Sequence, residues 1–384
     1  MERFYYDHAA TTPLHPEVAK TMMDVYAGTT GNASSTHSFG RDARQLLNRS
    51  RDTVAALLGC LPNQLVFTSG GTESDNLAII GTARAMRKQG KAHIITSAIE
   101  HHAVLHTCEA LEREGFRITV LPVDAQGLVA AADVEAAIEA DTGLISIMYA
   151  NNETGTIQPI QEIGTAARSR GVWFHVDAVQ ALGKIHIDLR TLPVDLMSFS
   201  AHKVNGPAGV GALFIGDRVP IEPIMFGGLQ ERKRRSGTEN VAGIAGLARA
   251  FELSVKTVDE KKLFLDELRL KWIEWLQELT GSQEIVINGH EIQRLPHIAN
   301  ISFIGIDTET MLMNLDMEGI AASSGSACTA GALEPSHVLR AMGLSEERLL
   351  SAVRFSFGLG NTLEELEIAA QKIATFLKRI RSTA

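Results

Sequence analysis

Cysteine is scarce in this chain: three among 384 residues, at positions 60, 108 and 328, odd in number and far apart. That excludes a disulfide framework and fits a reducing compartment. Positive charge is in short supply as well, with 36 Lys and Arg against 45 Asp and Glu and a formal net charge of -9. A surface that holds phosphate backbones needs a concentrated positive field, so direct nucleic-acid binding is not expected. The one dense basic run, 232–235, is short and is read instead as a candidate surface for an acidic partner. No apolar run approaches bilayer-spanning length, and the start, Met-Glu-Arg-Phe-Tyr-Tyr-Asp-His, lacks the basic segment and long apolar core of a secretory signal. The expected compartment is therefore the cytosol, with no membrane association. No internal repeat, low-complexity segment or metal site is read.

What is present is the composition of a globular chain, 45% hydrophobic and 21% charged, long enough for a large domain and a smaller one. Apolar residues recur at helical spacing from 42 onward (Ala43, Leu46, Leu47, Val54, Leu57, Leu58) until Gly59 closes the helix. Short apolar runs at 64–68, 93–96, 144–150, 172–176 and 196–199 alternate with helical segments, predicting a largely parallel sheet flanked by helices. A long helix at 262–280 carries Leu265, Leu268, Trp272, Trp275 and Leu279 on one stripe. Beyond it, strands at 284–287, 297–303 and 352–357, a helix at 308–317 and a last helix opened by a Thr362/Glu365 capping box predict a smaller α/β unit. The expected division is a large domain at 15–258 and a small one formed by 1–14 with 259–384.

Five successive expected strands end in polar residues: Thr72, His101, Asn152, Asp177 with Gln180, then His202 with Lys203. In an open α/β sheet the ligand sits outside the carboxyl ends of the strands, so these residues are expected to converge on one crevice. The turn at 70–74, with Gly71 and Thr72, follows a strand and opens a helix, an arrangement that offers free backbone amides to a phosphate. Lys203 stands where a buried strand runs out into a loop broken by Asn205, Gly206 and Pro207. A lone lysine there would extend its ammonium to water; a desolvated one loses its proton and becomes a nucleophile. Pyridoxal 5'-phosphate needs such a lysine, a carboxylate opposite its pyridine nitrogen and an anion pocket. Lys203, Asp177 and the 70–74 turn fill those roles, with His101 flat on the ring, Asn152 and Gln180 toward the ring oxygen, and Ser200 and His202 on the phosphate. The glycine-rich, basic loop at 226–240 reads either as a solvated loop or as one that delivers Arg235 and Thr238 to an anion.

Cys108 lies on a core stripe and Cys60 at a helix end. Cys328 is different: it sits in a run of small residues at 323–335, Ser-Ser-Gly-Ser-Ala-Cys-Thr-Ala-Gly-Ala-Leu-Glu-Pro, with nothing beside it to bury it. A thiol so placed is a hazard unless its reactivity is used.

The motifs at 7–13, 68–76, 100–101, 151–153, 175–180, 200–203, 235–238, 323–335 and 354–356 together resemble those of cysteine desulfurases, in the class V aminotransferase branch of the fold type I pyridoxal-phosphate enzymes. The resemblance spans essentially the whole chain, and the length of the Cys328 loop is similar to the subgroup typified by housekeeping iron-sulfur desulfurases. It implies a homodimer in which Thr238 reaches the partner subunit's cofactor phosphate and Arg354 holds the substrate carboxylate. It further implies that Lys203 moves the α-proton of L-cysteine, that Cys328 takes the sulfur as a persulfide, and that alanine leaves. The sulfur then passes to an acceptor protein, an iron-sulfur scaffold or a tRNA-thiolation enzyme. Asn205, Ala208, Leu229, Lys233 and Arg234 depart from the usual family residues and bear on which acceptor docks. Alternatives on the same scaffold are selenocysteine or cystine lyase activity, an ordinary aminotransferase, or a non-catalytic sulfur-relay scaffold; turnover of each substrate and cofactor absorbance separate them.

Overall fold

The computed structural model describes residues 3–325 and 335–383. In chain order come β1 (Phe4–Tyr5), α1 (Pro16–Gly28), α2 (Ser38–Leu58), β2 (Leu65–Thr68), α3 (Gly71–Arg87), β3 (His93–Ser97), α4 (His102–Arg113) and β4 (Arg117–Leu121). Next are α5 (Ala131–Ala137), β5 (Thr142–Ser146), α6 (Ile160–Ser169), β6 (Trp173–Asp177), β7 (Leu196–Ser200), β8 (Gly211–Ile215), α7 (Val241–Lys256) and α8 (Val258–Thr280). The chain closes with β9 (Ile285–Asn288), β10 (Ile298–Phe303), α9 (Thr308–Met317), β11 (Ile320–Ala321), α10 (His337–Ala341), α11 (Glu346–Leu350), β12 (Ala352–Ser356) and α12 (Leu363–Thr383).

Seven strands form the large sheet in the order β2-β8-β7-β6-β5-β3-β4. All pairings are parallel except those of β8, which runs against both β2 and β7. The central strands are buried on both faces, as helix-covered parallel strands must be, so they read as apolar runs rather than alternating ones. Contrary to expectation, the five strands with polar ends are not successive. β4 intervenes at the sheet edge, half-exposed, and adds nothing to the crevice.

Helix α2 begins at Ser38, four residues before its apolar stripe suggests. Its first turn is closed by His37, whose Nδ1 accepts from the Gly40 amide (3.2 Å), a capping residue outside the usual Ser, Thr, Asp and Asn set. Helix α7 is invisible to periodicity for the opposite reason. It is apolar nearly all round, packed against α1 and α2, and so presents no single stripe. Gly246 lets it approach closely, since a Cβ there would stand 2.8 Å from Met22. The stripe of α8 is narrower than expected: Trp275 is half-buried and Leu279 reaches the surface.

A second core lies among β1, α8, β9, β10, β12 and α12, built on Trp272, Tyr6, Phe303, Phe355 and Phe357. β12, β10 and β9 form an antiparallel sheet in that order, and β1 pairs in parallel with β11, so the N-terminus belongs to this core. Tyr6 meets Trp272 and Phe357 edge-on, with ring centroids 5.4 and 5.5 Å apart. The reciprocal bonds between Thr362 and Glu365 form as expected, each 3.2 Å. No helix among the described residues is long and apolar enough to cross a membrane.

The basic run does not lie wholly on the surface. Arg235 is drawn to Glu73 (Nε to Oε1 2.7 Å, Nη2 to Oε2 3.2 Å) and Arg234 donates to the Asn63 carbonyl (3.1 Å), which leaves Arg232 and Lys233 exposed. Glu231, just before them, is buried against Arg51 (2.5 Å) and accepts from the Phe67 amide (3.0 Å), pinning this loop to β2.

Candidate active site

A cavity of about 280 Å³ opens at the carboxyl ends of the central strands, between the two cores. Lys203 reaches it from the 3₁₀ turn Ala201–Lys203 that follows β7. Its Nζ donates to the carbonyls of Ala9 (2.5 Å) and Ala10 (2.7 Å), residues almost two hundred positions away. The same N-terminal loop is tied to the lysine turn twice more, by the Thr12 amide and hydroxyl donating to the His202 carbonyl (2.9 and 2.7 Å). Lys184 donates to the carbonyl of Lys203 (3.4 Å) from behind; burial, with Lys261 and Lys203 nearby, pushes its pKa down to about 7.

Asp177 ends β6 and turns its Oδ1 to accept from the Val179 amide (2.9 Å). Burial raises its pKa to about 6, while that amide and the Lys203 cation pull it back. Gln180, in the same turn, donates from Nε2 to the Ala9 carbonyl (2.9 Å). His101 caps α4, with Nδ1 accepting from the Ala103 amide (3.1 Å). Burial, reinforced by Lys203, pushes its pKa to about 4, so the ring that lines the cavity is neutral.

At the other end, Gly70 and Gly71 open α3, a 17-residue helix whose positive end faces the cavity with Thr72 in its first turn. Glycine at 71 is required, since a Cβ there would stand 2.7 Å from Val179 Cγ2. The Ser200 hydroxyl is buried here with no hydrogen-bond partner among the described residues. His202 completes this end, its Nδ1 3.1 Å from Thr11 Oγ1 and its pKa pushed down to about 4 by burial. An orphaned hydroxyl, backbone amides and a helix N-terminus form the donor set a phosphate monoester needs, so the residues present fit pyridoxal 5'-phosphate. Arg235 pairs with Glu73 and is not among the residues lining the cavity. Thr238 is exposed and lies outside the cavity of its own chain.

Arg354, on β12, lines the side of the cavity toward the second core and is 2% exposed. Its guanidinium pairs with Asp7 (2.8 Å) and donates to the carbonyls of Asn152 (3.0 Å) and Gly325 (3.2 Å), while its buried Nε has no partner among the described residues. Glu153, next to Asn152, accepts from the Ser336 hydroxyl (2.5 Å). Cys328 lies outside the described residues. Burial pushes the thiols of Cys60 and Cys108 up to about 12, so neither is a thiolate near neutral pH.

These histidines make the fold acid-sensitive. In the cofactor-free chain, burial holds His8, His101 and His202 at about 4 and His175 at about 3, against roughly 6.5 in an unfolded chain. Between those limits the unfolded state binds more protons, so this stabilisation is complete above about pH 6.5 and is lost on acidification toward pH 4. The raised carboxyls of Asp75, Glu100, Glu153, Asp177 and Asp195 act in the opposite sense, but the lowered histidines outnumber them once His93, His102, His297 and His337, lowered by burial as well, are included. The urea midpoint of the apoprotein is expected to climb from about pH 4.5 to about pH 6.5; a midpoint falling over that interval contradicts the assignment.

The family model described as "Aminotransferase class-V" matches residues 4–368. The chain belongs to that family. The chain is 50% identical to the IscS 1 protein of Bacillus subtilis (strain 168) over 381 residues, covering 99% of this chain and 100% of that one. It is 47% identical to the cysteine desulfurase IscS of Methanosarcina thermophila over 378 residues, covering 98% and 93%. Among solved structures it superposes on a "NIFS-LIKE PROTEIN" with a TM-score of 0.92 at 38% identity, covering 98% of this chain and 100% of that one. Members of this family are pyridoxal 5'-phosphate enzymes.

In this family member, sequence reasoning missed the carbonyls of Ala9 and Ala10 as partners of Lys203, Asp7 as partner of Arg354, Lys184 behind the lysine turn, and Glu153 and Asp75 in the cavity lining. Asp7 stood in a motif already singled out, and Glu153 beside Asn152; the carbonyl contacts leave no trace in residue type.

Proposed function

We propose that the chain converts L-cysteine to L-alanine and carries the sulfur on Cys328 as a persulfide. The reading rests on one observation: Lys203, Asp177, His101 and Arg354, drawn from both cores, line a single cavity with a phosphate cradle at its end. The cysteine desulfurase relatives support the reaction itself. Pyridoxal 5'-phosphate, when bound, supplies an electron sink beside the substrate's α-carbon.

The chain's own residues do the rest. Gly71, Thr72, Ser200 and His202 would hold its phosphate, Asp177 would pair with the ring nitrogen, His101 would pack on the ring, and Asn152 and Gln180 would reach its oxygen. Arg354 takes the substrate carboxylate, exchanging its Asp7 partner for it. The Lys203 amine, held by the Ala9 and Ala10 carbonyls until needed, moves the proton at the α-carbon. The Cys328 thiolate takes the substrate's sulfur, a sulfur-sulfur bond replacing the substrate's carbon-sulfur bond, and the three-carbon skeleton leaves as alanine. The persulfide passes to an acceptor protein of the iron-sulfur assembly or tRNA-thiolation kind. A homodimer completes the site with Thr238, which is exposed in the single chain, as are the apolar residues Tyr26, Phe39, Phe226 and Leu229.

Incubation with L-cysteine is expected to yield alanine and a persulfide at residue 328, with cystine and selenocysteine as comparison substrates. Alanine without persulfide at that residue contradicts the proposal. Ser200→Ala removes the orphaned hydroxyl from the cradle and is expected to weaken cofactor binding to the apoprotein roughly 10-fold, the scale of one hydrogen bond to a charged group. Unchanged affinity in a fluorescence titration places the phosphate elsewhere.

A further inference from the structure

Behind the cavity floor lies a second carboxyl group that the reaction above does not use. β6 sends alternate side chains to opposite faces, so His175 and Asp177 share one face of the sheet. α3 covers that face and brings Asp75 to within 3.6 Å of His175 Nε2. Asp75 lines the same cavity as Asp177, is 1% exposed, and its Oδ1 has no hydrogen-bond partner among the described residues.

No cation among the described residues answers it. Both nitrogens of His175 are taken up by serine hydroxyls, Nδ1 with Ser146 (2.8 Å) and Nε2 with Ser198 (2.9 Å), and burial keeps the ring neutral. The titratable groups acting on Asp75 are Asp177 from β6 and Glu100 from the turn before α4, both acidic, with Glu100 itself raised to about 8 by burial. Two carboxylates in so dry a place do not both ionise; one keeps the proton. Asp177 has the Val179 amide and the Lys203 cation to favour its charge. Asp75 has burial and the repulsion of Asp177, which outweigh the Ser198 hydroxyl and raise its pKa well above the usual carboxylate range.

We propose that Asp75 is a positioning residue, a carboxylic acid that stays protonated behind Asp177 and thereby leaves Asp177 to carry the negative charge opposite the cofactor's ring nitrogen. This rests on the role given to Asp177 above. A neutral neighbour spares Asp177 the repulsion that would push its own proton on, and so sets the protonation of the ring at neutral pH.

The test uses holoenzyme of the parent, Asp75→Asn and Asp177→Asn. The infrared spectrum of the parent at neutral pH is expected to contain, beside the acid stretch of Glu100, a second protonated-carboxyl carbonyl stretch that vanishes in Asp75→Asn and, in Asp177→Asn, titrates away at least about one pH unit lower, the repulsion being gone. The cofactor's visible band, followed from about pH 5 to about pH 9, is expected to keep its profile in Asp75→Asn, and cofactor release to stay within about twofold, because one neutral group replaces another. A missing second acid band, a second band indifferent to Asp177→Asn, or a profile displaced by more than about one unit in Asp75→Asn overturns the proposal. If Asp177→Asn leaves the visible band and cofactor release untouched, the assignment of Asp177 itself is wrong, and the infrared result for Asp75 separates that outcome from failure of the proposal.

Discussion

Cys328→Ser is expected to abolish persulfide formation and to lower alanine release from L-cysteine by orders of magnitude, while the cofactor's absorbance stays at the parent level. The reason is the lack of a substitute. Cys60 and Cys108, with thiols pushed up to about 12 by burial, hold almost no thiolate at neutral pH, and neither lines the cavity. A serine hydroxyl in place of the thiol has the wrong acidity and no affinity for the substrate's sulfur. Mass spectrometry of the intact protein after one exposure to cysteine reads the added sulfur directly, and alanine is measured in parallel. A Cys328→Ser protein that turns over cysteine at the parent rate, or gains a sulfur at another position, removes Cys328 from the mechanism.

Lys203→Ala is expected to cost on the order of 10³-fold in turnover, the middle of the range for removing one positioned acid-base group. The visible band of the bound cofactor is expected to shift at the same time, because the amine proposed to act beside it is gone. Lys184 does not stand in. It donates to the backbone carbonyl of Lys203 from the far side of the turn and is absent from the cavity lining. The guanidinium of a Lys203→Arg protein keeps a cation against the Ala9 and Ala10 carbonyls but cannot give up its proton, so this variant separates support of the N-terminal loop from chemistry: fold retained, turnover lost. Turnover within tenfold of the parent in Lys203→Ala contradicts the role.

Much of the large sheet was legible because its strands announce themselves twice, by short apolar runs and by the glycine and polar turns that end them. The helix starting at Gly71, the close of α2 at Gly59 and the box at Thr362 and Glu365 followed from local rules that hold whatever surrounds them. Reading failed where no regular pattern was present. α7 has no polar face to set its period, and β4 is a half-exposed edge strand of mixed residues. That Arg235 pairs with a carboxylate from α3, Glu73, could not be read from its place in a basic loop.

The residue types needed for the chemistry, an amine, an imidazole, carboxylates, a phosphate turn and one unburied-looking thiol, are properties of the chain's own order, and so is their placement at strand ends. Alternation along a strand and the start of a helix are local, set by backbone geometry within a few residues. Which of these groups are charged is not local. That Lys203 rests on two carbonyls from the N-terminus, that Arg354 is paired with Asp7, and that Asp75 stands behind Asp177 with no cation beside it among the described residues depend on contacts across much of the chain. Desolvation and the sum of neighbouring charges act through space, so they exist only once the two cores have closed around the cavity.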